Sequence, residues 1–169
     1  MSRVQISPGP FMMVKSYYVA KSRFGKGVFA SRGIRKGELI MRFRGRIISG
    51  SGLDNVSEKG RDPLTDPLQV DGNKFMLIME PYVLVNHSCD PNSGIKGGTD
   101  LIAITKIRKD EEILYDYSSV WLEGFGCKCG SPNCRGFVSE FTSIPKRKQK
   151  RYIKLGIVPD FIIDRINLD

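Results

Sequence analysis

Four cysteines constrain this 169-residue chain more than any other feature. Three of them, Cys127, Cys129 and Cys134, form C-x-C-x4-C within GFGCKCGSPNCRG, a glycine-rich stretch with few apolar residues to hold it in place. A disulfide between Cys127 and Cys129 would close a very small, strained ring. Three closely spaced thiols and one remote thiol can instead close a tetrahedral zinc site, with thiolates about 2.3 Å from the metal. A loop poor in apolar contacts then takes its order from the ion. Cys89 is the remaining thiol, so the expected ligands of one structural zinc are Cys89, Cys127, Cys129 and Cys134. That closure would pin the C-terminal loop onto VNHSCDPN, residues 85–92.

VNHSCDPN also carries the single histidine, His87, beside Asn86 and directly after the apolar run Val83-Leu84-Val85. Unpaired polar groups next to a buried segment are costly. Asn86 and His87 therefore read either as a satisfied structural network or as ligand contacts. A Cys-His hydrolase built on Cys89 and His87 is disfavoured, because no orienting partner is evident and Cys89 is better used on metal.

Eighteen glycines and nine prolines favour short strands joined by tight turns. Strands are expected at 14–20, 28–30, 39–43, 46–48, 69–71, 82–85, 101–107 and 113–117. Residues 1–13 read as a loose arm, and 49–67 as an irregular polar insert. ASRGIRKGELI (30–40) and AITKIRKDEEIL (103–114) share Ala, then Ile-Arg-Lys, then Gly or Asp, then Glu at equal offsets. Each reads as strand, tight turn, strand, one hairpin design used twice. Beyond Cys134, Pro159 suits a helix start. Phe161, Ile162, Ile166 and Leu168 then form an apolar stripe that would fold back on the β body.

The formal charge of +9 favours contact with nucleic acid or residence beside it. The dense basic run at 146–151 reads most simply as the solvated face of a C-terminal helix, with an accessory nucleic-acid contact as the sharper alternative. No apolar run is long enough to span a membrane, and the first residues lack a secretory pattern, so the expected location is intracellular.

Three stretches stand together: SRFGKGVFA (22–30), VNHSCDPN (85–92) and EEILYDYS (111–118), followed by C-x-C-x4-C-R-G. In this order they resemble the SET-domain protein lysine methyltransferases with a post-SET zinc loop, over about Tyr17 to Gly136. The resemblance implies a mainly β (α+β) fold, a β-clip with a pseudoknot built from several small sheets, ending in a short helical tail. It divides the chain into a SET domain at 14–118, a post-SET zinc loop at 119–138 and a basic, helical tail at 139–169. It further implies S-adenosylmethionine as co-substrate, held by Gly25, Lys26, Gly27, Asn86, His87 and Tyr117. Tyr117 matches the active-site tyrosine. Tyr115 matches a position where tyrosine accompanies low methylation states, so monomethylation, or dimethylation at most, is expected. The implied partner is a lysine-bearing protein, a histone or another DNA-associated protein. The location would be nuclear in a eukaryote and cytoplasmic in a prokaryote.

Several positions depart from the family pattern. Phe43 stands where a tyrosine often hydrogen-bonds the substrate amine, Arg46 replaces an acid, Leu68 an aromatic, and Val83-Leu84 the usual Arg-Phe. Glu58, Asp62, Asp66 and Asp71 are candidates for an acidic substrate groove. The competing reading keeps the fold without catalysis: a zinc-stabilised module that binds a peptide or nucleic acid.

Overall fold

The computed structural model describes residues 15–53, 66–120 and 124–166. The expected N-terminal arm, most of the insert with Glu58 and Asp62, and Leu168 lie outside them. Among the described residues, ten short strands form four small antiparallel sheets. β1 (Tyr17–Ser22) and β2 (Gly25–Ala30) make a hairpin turning on Arg23 and Phe24. β3 (Leu39–Arg42), β8 (Asp100–Ala103) and β7 (Ser93–Lys96) form one three-stranded sheet in that spatial order. β4 (Gly45–Ser49) and β5 (Asp66–Asp71) flank β6 (Lys74–Ile78) in another. β9 (Phe125–Gly126) and β10 (Phe137–Val138) are a minimal pair around the cysteine loop.

The two Ile-Arg-Lys segments fold alike and pair with each other. Ile34 and Ile107 exchange both backbone hydrogen bonds, at 2.9 and 3.0 Å. In each turn the glutamate side chain takes the arginine N–H, Glu38 from Arg35 at 3.1 Å and Glu111 from Arg108 at 2.9 Å. Gly37 and Asp110 sit at the same point with φ of +84° and +64°. Glycine adopts that left-handed conformation freely, and aspartate is among the few other residues that tolerate it, which accounts for the Gly/Asp alternation. Each of these residues donates its N–H to the alanine that opens the other segment, both at 2.8 Å. The echo is thus one pseudo-two-fold junction: the hairpin design used twice is pseudo-symmetric, and its two copies pair with each other.

Two expected strands take other forms. Tyr82–Leu84 is a 3₁₀ turn behind Pro81, with Tyr82, Val83 and Leu84 packed on the core. Residues 113–117 bond alternately to two neighbours: Ile113 N–H to Val28 and Tyr115 N–H to Asn86, while Ser88 N–H returns to Tyr115. Only isolated bridges result, including the parallel His87–Tyr115 bridge, before a 3₁₀ turn at Tyr117–Ser119. These bonds cross residues 85–92 with the Y-D-Y segment, the place of the pseudoknot that the resemblance implies. β6 and β7 were not foreseen, and β5 begins at Asp66, inside the expected insert.

The main core joins Val28, Ile34, Phe43, Ile95, Leu101, Ile107 and Ile113. A second core, with Ile104, Phe141, Ile144, Tyr152 and Ile157, docks the tail. The tail comprises α1 (Lys146–Leu155), stopped by Gly156 in the left-handed conformation, and α2 (Asp160–Ile166), which starts just after Pro159. From α2, Ile162, Ile163 and Ile166 pack against that cluster, Ile163 joining the expected stripe and Phe161 standing outside it.

Candidate active site

The crossing brings Asn86, His87 and Tyr117 to one wall of a cavity of about 350 Å³, with Tyr115 buried behind them in the core. Phe24 from the β1–β2 turn, and Phe125, Gly126, Cys127, Lys128 and Cys129 from the cysteine loop, complete its lining with Asn86, His87 and Tyr117. The size falls in the ordinary range for a small-molecule site. Sequence reasoning passed over Gly126, Lys128 and two aromatic lining residues, Phe24 and Phe125. The signal of the two aromatics is adjacency, since one precedes Gly25-Lys26-Gly27 and the other stands two before Cys127.

Asn86 donates its amide to Lys26 O at 3.0 Å and to Glu112 Oε1 at 2.8 Å, where Ser22 Oγ also donates at 2.7 Å. A Cβ on Gly27 would collide with that carboxylate and come within 2.8 Å of Ser22 Cβ. Glycine is needed there for close approach. The Lys26 side chain turns away to Glu80 at 3.0 Å, so its backbone faces Asn86 while its ammonium does not.

His87 is 8% exposed, and both ring nitrogens have protein partners. Nδ1 accepts the Tyr117 N–H at 3.1 Å, which places the proton on Nε2, 3.4 Å from Cys89 Sγ. Burial lowers its pKa to about 4, so the 3.8 Å approach of Nδ1 to Asp116 is not an ion pair near neutrality. With Nε2 protonated, the imidazole cannot take the Cys89 proton, and the hydrolase arrangement is closed. His87 can meet a ligand through its ring and backbone, whereas its polar atoms are committed to the protein.

Tyr117 donates its hydroxyl to Val85 O at 2.9 Å. Its ring lies 4.7 Å from that of Tyr115, 5.3 Å from His87 and 6.1 Å from Phe125. Beyond Tyr115 the file continues to Phe43 at 6.2 Å and Tyr82 at 5.6 Å from Phe43. Tyr117 therefore borders the cavity on one side and heads a buried aromatic file on the other. Of the acidic candidates, Asp71 is exposed and paired with Lys74 at 3.3 Å. Leu68 is buried in the main core.

The cysteines meet behind the cavity. Thiolates about 2.3 Å from one tetrahedral ion stand about 3.8 Å apart. Cys89 Sγ and Cys127 Sγ are 3.8 Å apart, and Cys134 Sγ and Cys127 Sγ 3.7 Å. The ligand atoms of His87, Cys89, Cys127 and Cys129 lie within 4.8 Å of one another. Cys89 Sγ accepts the Arg135 N–H at 3.4 Å, and Cys129 Sγ accepts the Cys89 N–H at 3.5 Å, contacts that favour thiolates. Burial alone would raise Cys129, yet the N–H donors of Cys89 and Ser131 and the Ser131 hydroxyl lower it to about 6. The clustered thiols fit a zinc ion, with Cys134 beside Cys127 and the His87 Nε2 proton turned toward Cys89 Sγ.

The SET domain family model matches residues 25–118, more than half of the chain. The protein belongs to the SET-domain family. It is 29% identical over 143 residues to the "Variant-silencing SET domain-containing protein" of Plasmodium falciparum, covering 73% of this chain and 6% of that protein. It is 31% identical over 159 residues to "Histone-lysine N-methyltransferase, H3 lysine-9 specific KMT1" of Fusarium mangiferae, covering 68% and 45%. The chain thus spans less than half the length of either relative. In structure it resembles "Chaetomium thermophilum Polycomb Repressive Complex 2 bound to GSK126", with TM-score 0.52, 22% identity and coverage of 61% of this chain and 16% of that one. Those matches leave the expected mainly β, small-sheet SET fold standing.

Proposed function

We propose that this chain is an S-adenosylmethionine-dependent protein lysine N-methyltransferase that adds one methyl group, or at most two, to a histone or another DNA-associated protein. The observation that carries this reading is the place of Tyr117, which borders the cavity and heads the aromatic file. A lining of Phe24, Phe125 and Tyr117 suits a ligand with a flat base and a cationic centre. When bound, S-adenosylmethionine supplies an electrophilic methyl group on a sulfonium.

The chain's own task is alignment, which dominates in a direct displacement. Asn86 and the backbone of Gly25, Lys26 and Gly27 hold the cofactor. His87 fixes the Tyr117 backbone, and the Tyr117 hydroxyl with the Val85 carbonyl gives the polar edge that orients the reacting groups. A lysine with a reference pKa of about 10.4 costs roughly 4–5 kcal/mol to neutralise at pH 7. The dry walls of Phe43, Tyr115 and Tyr82 lower that cost by disfavouring the ammonium. Phe43 offers no hydroxyl to the amine, whereas Tyr115 does, and its bulk there favours low methylation. In this reading residues 14–118 carry the chemistry, 119–138 close the cavity around a zinc held by Cys89, Cys127, Cys129 and Cys134, and 139–169 form the tail. The names of the histone-lysine relatives support the substrate class, and with it a nuclear location in a eukaryotic cell.

The test is transfer of labelled methyl to a mixture of histones and other basic proteins, beside a Tyr117→Phe variant. Label on lysine that falls by about 10²-fold or more in the variant, at unchanged cofactor affinity, is the expected result. Cofactor binding without transfer would point to a missing substrate or partner, and no cofactor binding at all would favour the non-catalytic module.

One observation favours an accessory nucleic-acid contact. Lys146, Arg147, Lys150, Arg151 and Lys154 are exposed and fall within one arc of about 140° on α1, taken at 100° per residue. Duplex DNA binding that weakens steeply with salt, and weakens further in Lys150→Glu/Arg151→Glu, is expected from fluorescence anisotropy. Binding unchanged by that reversal would place the contact elsewhere.

A further inference from the structure

α1 lies outside the residues matched by the family model, yet it reaches the site directly. Tyr152 is 1% exposed, its ring fixed among Phe141, Ile144 and Ile157. Its hydroxyl leaves that apolar cluster and donates to Asp116 Oδ2 at 3.1 Å. Asp116 stands between the two site tyrosines and is 3% exposed. The same carboxylate receives both Arg135 guanidinium arms, each at 2.7 Å, and Arg135 follows the last zinc-loop cysteine. Its Oδ1 also accepts the Ser118 N–H at 3.2 Å, capping the 3₁₀ turn that starts at Tyr117.

We infer that Tyr152 is a positioning residue for Tyr117, acting through the Asp116 carboxylate. The inference rests on the methyltransferase reading. The Arg135 fork supplies the opposite charge that keeps Asp116 buried, so the carboxylate stays in place without Tyr152. What the Tyr152 hydroxyl adds is orientation. It holds Oδ2, the oxygen that the turn does not use, so that Oδ1 keeps its aim at the Ser118 N–H. The turn in turn sets the backbone that His87 grips through the Tyr117 N–H. Burial, and after it the Asp116 charge, push the Tyr152 phenol above its ordinary pKa, so it remains a donor. Lys148, one turn earlier, donates to Cys89 O and to Asp90 Oδ1, the latter at 3.1 Å, tying the same helix to the other strand of the crossing.

Core packing is the competing account, and Gln149 provides its control. It lies on the same helix, is 5% exposed, and donates to Thr142 O at 3.1 Å and Ile144 O at 2.6 Å, with no bond to the site. The experiment compares Tyr152→Phe with Gln149→Ala in the full chain, both checked for zinc content and for a melting midpoint above the assay temperature. Tyr152→Phe should lower kcat by about 5- to 20-fold, with peptide KM and cofactor Kd within about twofold, and Gln149→Ala should leave kcat in place. In spectra of 13C-ring-labelled tyrosine, the Tyr117 signal, assigned by its loss in Tyr117→Phe, should shift or broaden in Tyr152→Phe alone. Wild-type kcat in Tyr152→Phe, or an equal loss in Gln149→Ala, would overturn the inference. So would an unmoved Tyr117 signal, even in a protein that transfers no methyl. A moved signal in a protein without transferase activity would sink only the methyltransferase reading.

Discussion

The two walls of the cavity are built on different physics. The wall carrying Asn86 and Tyr117 grows out of the main core, where seventeen buried side chains among the described residues, Tyr115 among them, pack together and the Ile34–Ile107 junction closes with paired backbone bonds. The opposite wall, residues 124–138, has two two-residue strands and a cluster whose buried members are Cys89, Cys127 and Val138. One wall is stable through apolar burial. The other has thiols where a core would be, an arrangement suited to order supplied by a metal. A site at such a junction gains a rigid face and a face whose formation is conditional.

The sharpest way to break this comparison is to remove the ion. Structural zinc in small sites contributes an apparent binding free energy of about 10–16 kcal/mol near neutral pH. Chelation should therefore melt the loop and abolish cofactor binding, while far-ultraviolet dichroism and most core amide protection survive. Cys89→Ala should do the same at one atom, with zinc content falling below one per chain by mass spectrometry. If chelation instead unfolds the whole chain cooperatively, the two walls are one unit and the contrast fails.

A truncation in the core should produce the converse. Ile107 is fully buried at the pseudo-two-fold junction. Ile107→Ala should cost about 2–5 kcal/mol of global stability by denaturant titration, as core truncations do. The zinc affinity of the folded fraction should stay within about threefold. A zinc affinity that collapses along with core stability would show the loop borrowing its order from the core.

The sequence revealed what depends on residue type and left open what depends on who meets whom. The C-x-C-x4-C spacing announces a metal because few other roles suit crowded thiols. Y-D-Y and N-H-S-C mark the site because polar and aromatic groups follow apolar runs. The repeat of Ile-Arg-Lys was visible, but its self-pairing was not, since pairing joins residues 34 and 107 across most of the chain. His87 was expected to hold the cofactor; it lines the cavity, and the bonds of its ring nitrogens to Tyr117 and Cys89 could not be read from the sequence. Tyr152 carried no signal at all. In YIKLG it reads as one more apolar helix position, and its hydroxyl matters only because the fold places Asp116 beside it. Residues 82–85 and 113–117 read as strands because they are apolar and β-branched. Pro81 and the alternation of partners decided otherwise.

The smallest expected effect probes the rigid wall alone. The Tyr115 and Tyr117 rings lie 4.7 Å apart, tilted to one another, and Tyr115 meets edge-on Phe43, itself 1% exposed and without a hydroxyl. Tyr115→Phe removes one hydroxyl and keeps the ring that packs on both neighbours. The change in the first methyl transfer should be within about threefold, because the alignment rests on Tyr117 and the crossing, which the substitution leaves alone. The space and hydrogen bond released beside the amine should instead allow a second and third transfer, read as higher methylation states on a single lysine by mass spectrometry. A product distribution that stays at one methyl would locate the limit in Phe43 or Tyr82, and a large loss in the first transfer would make Tyr115 part of the alignment. In either case the cofactor affinity, set by the conditional wall and Asn86, should not move.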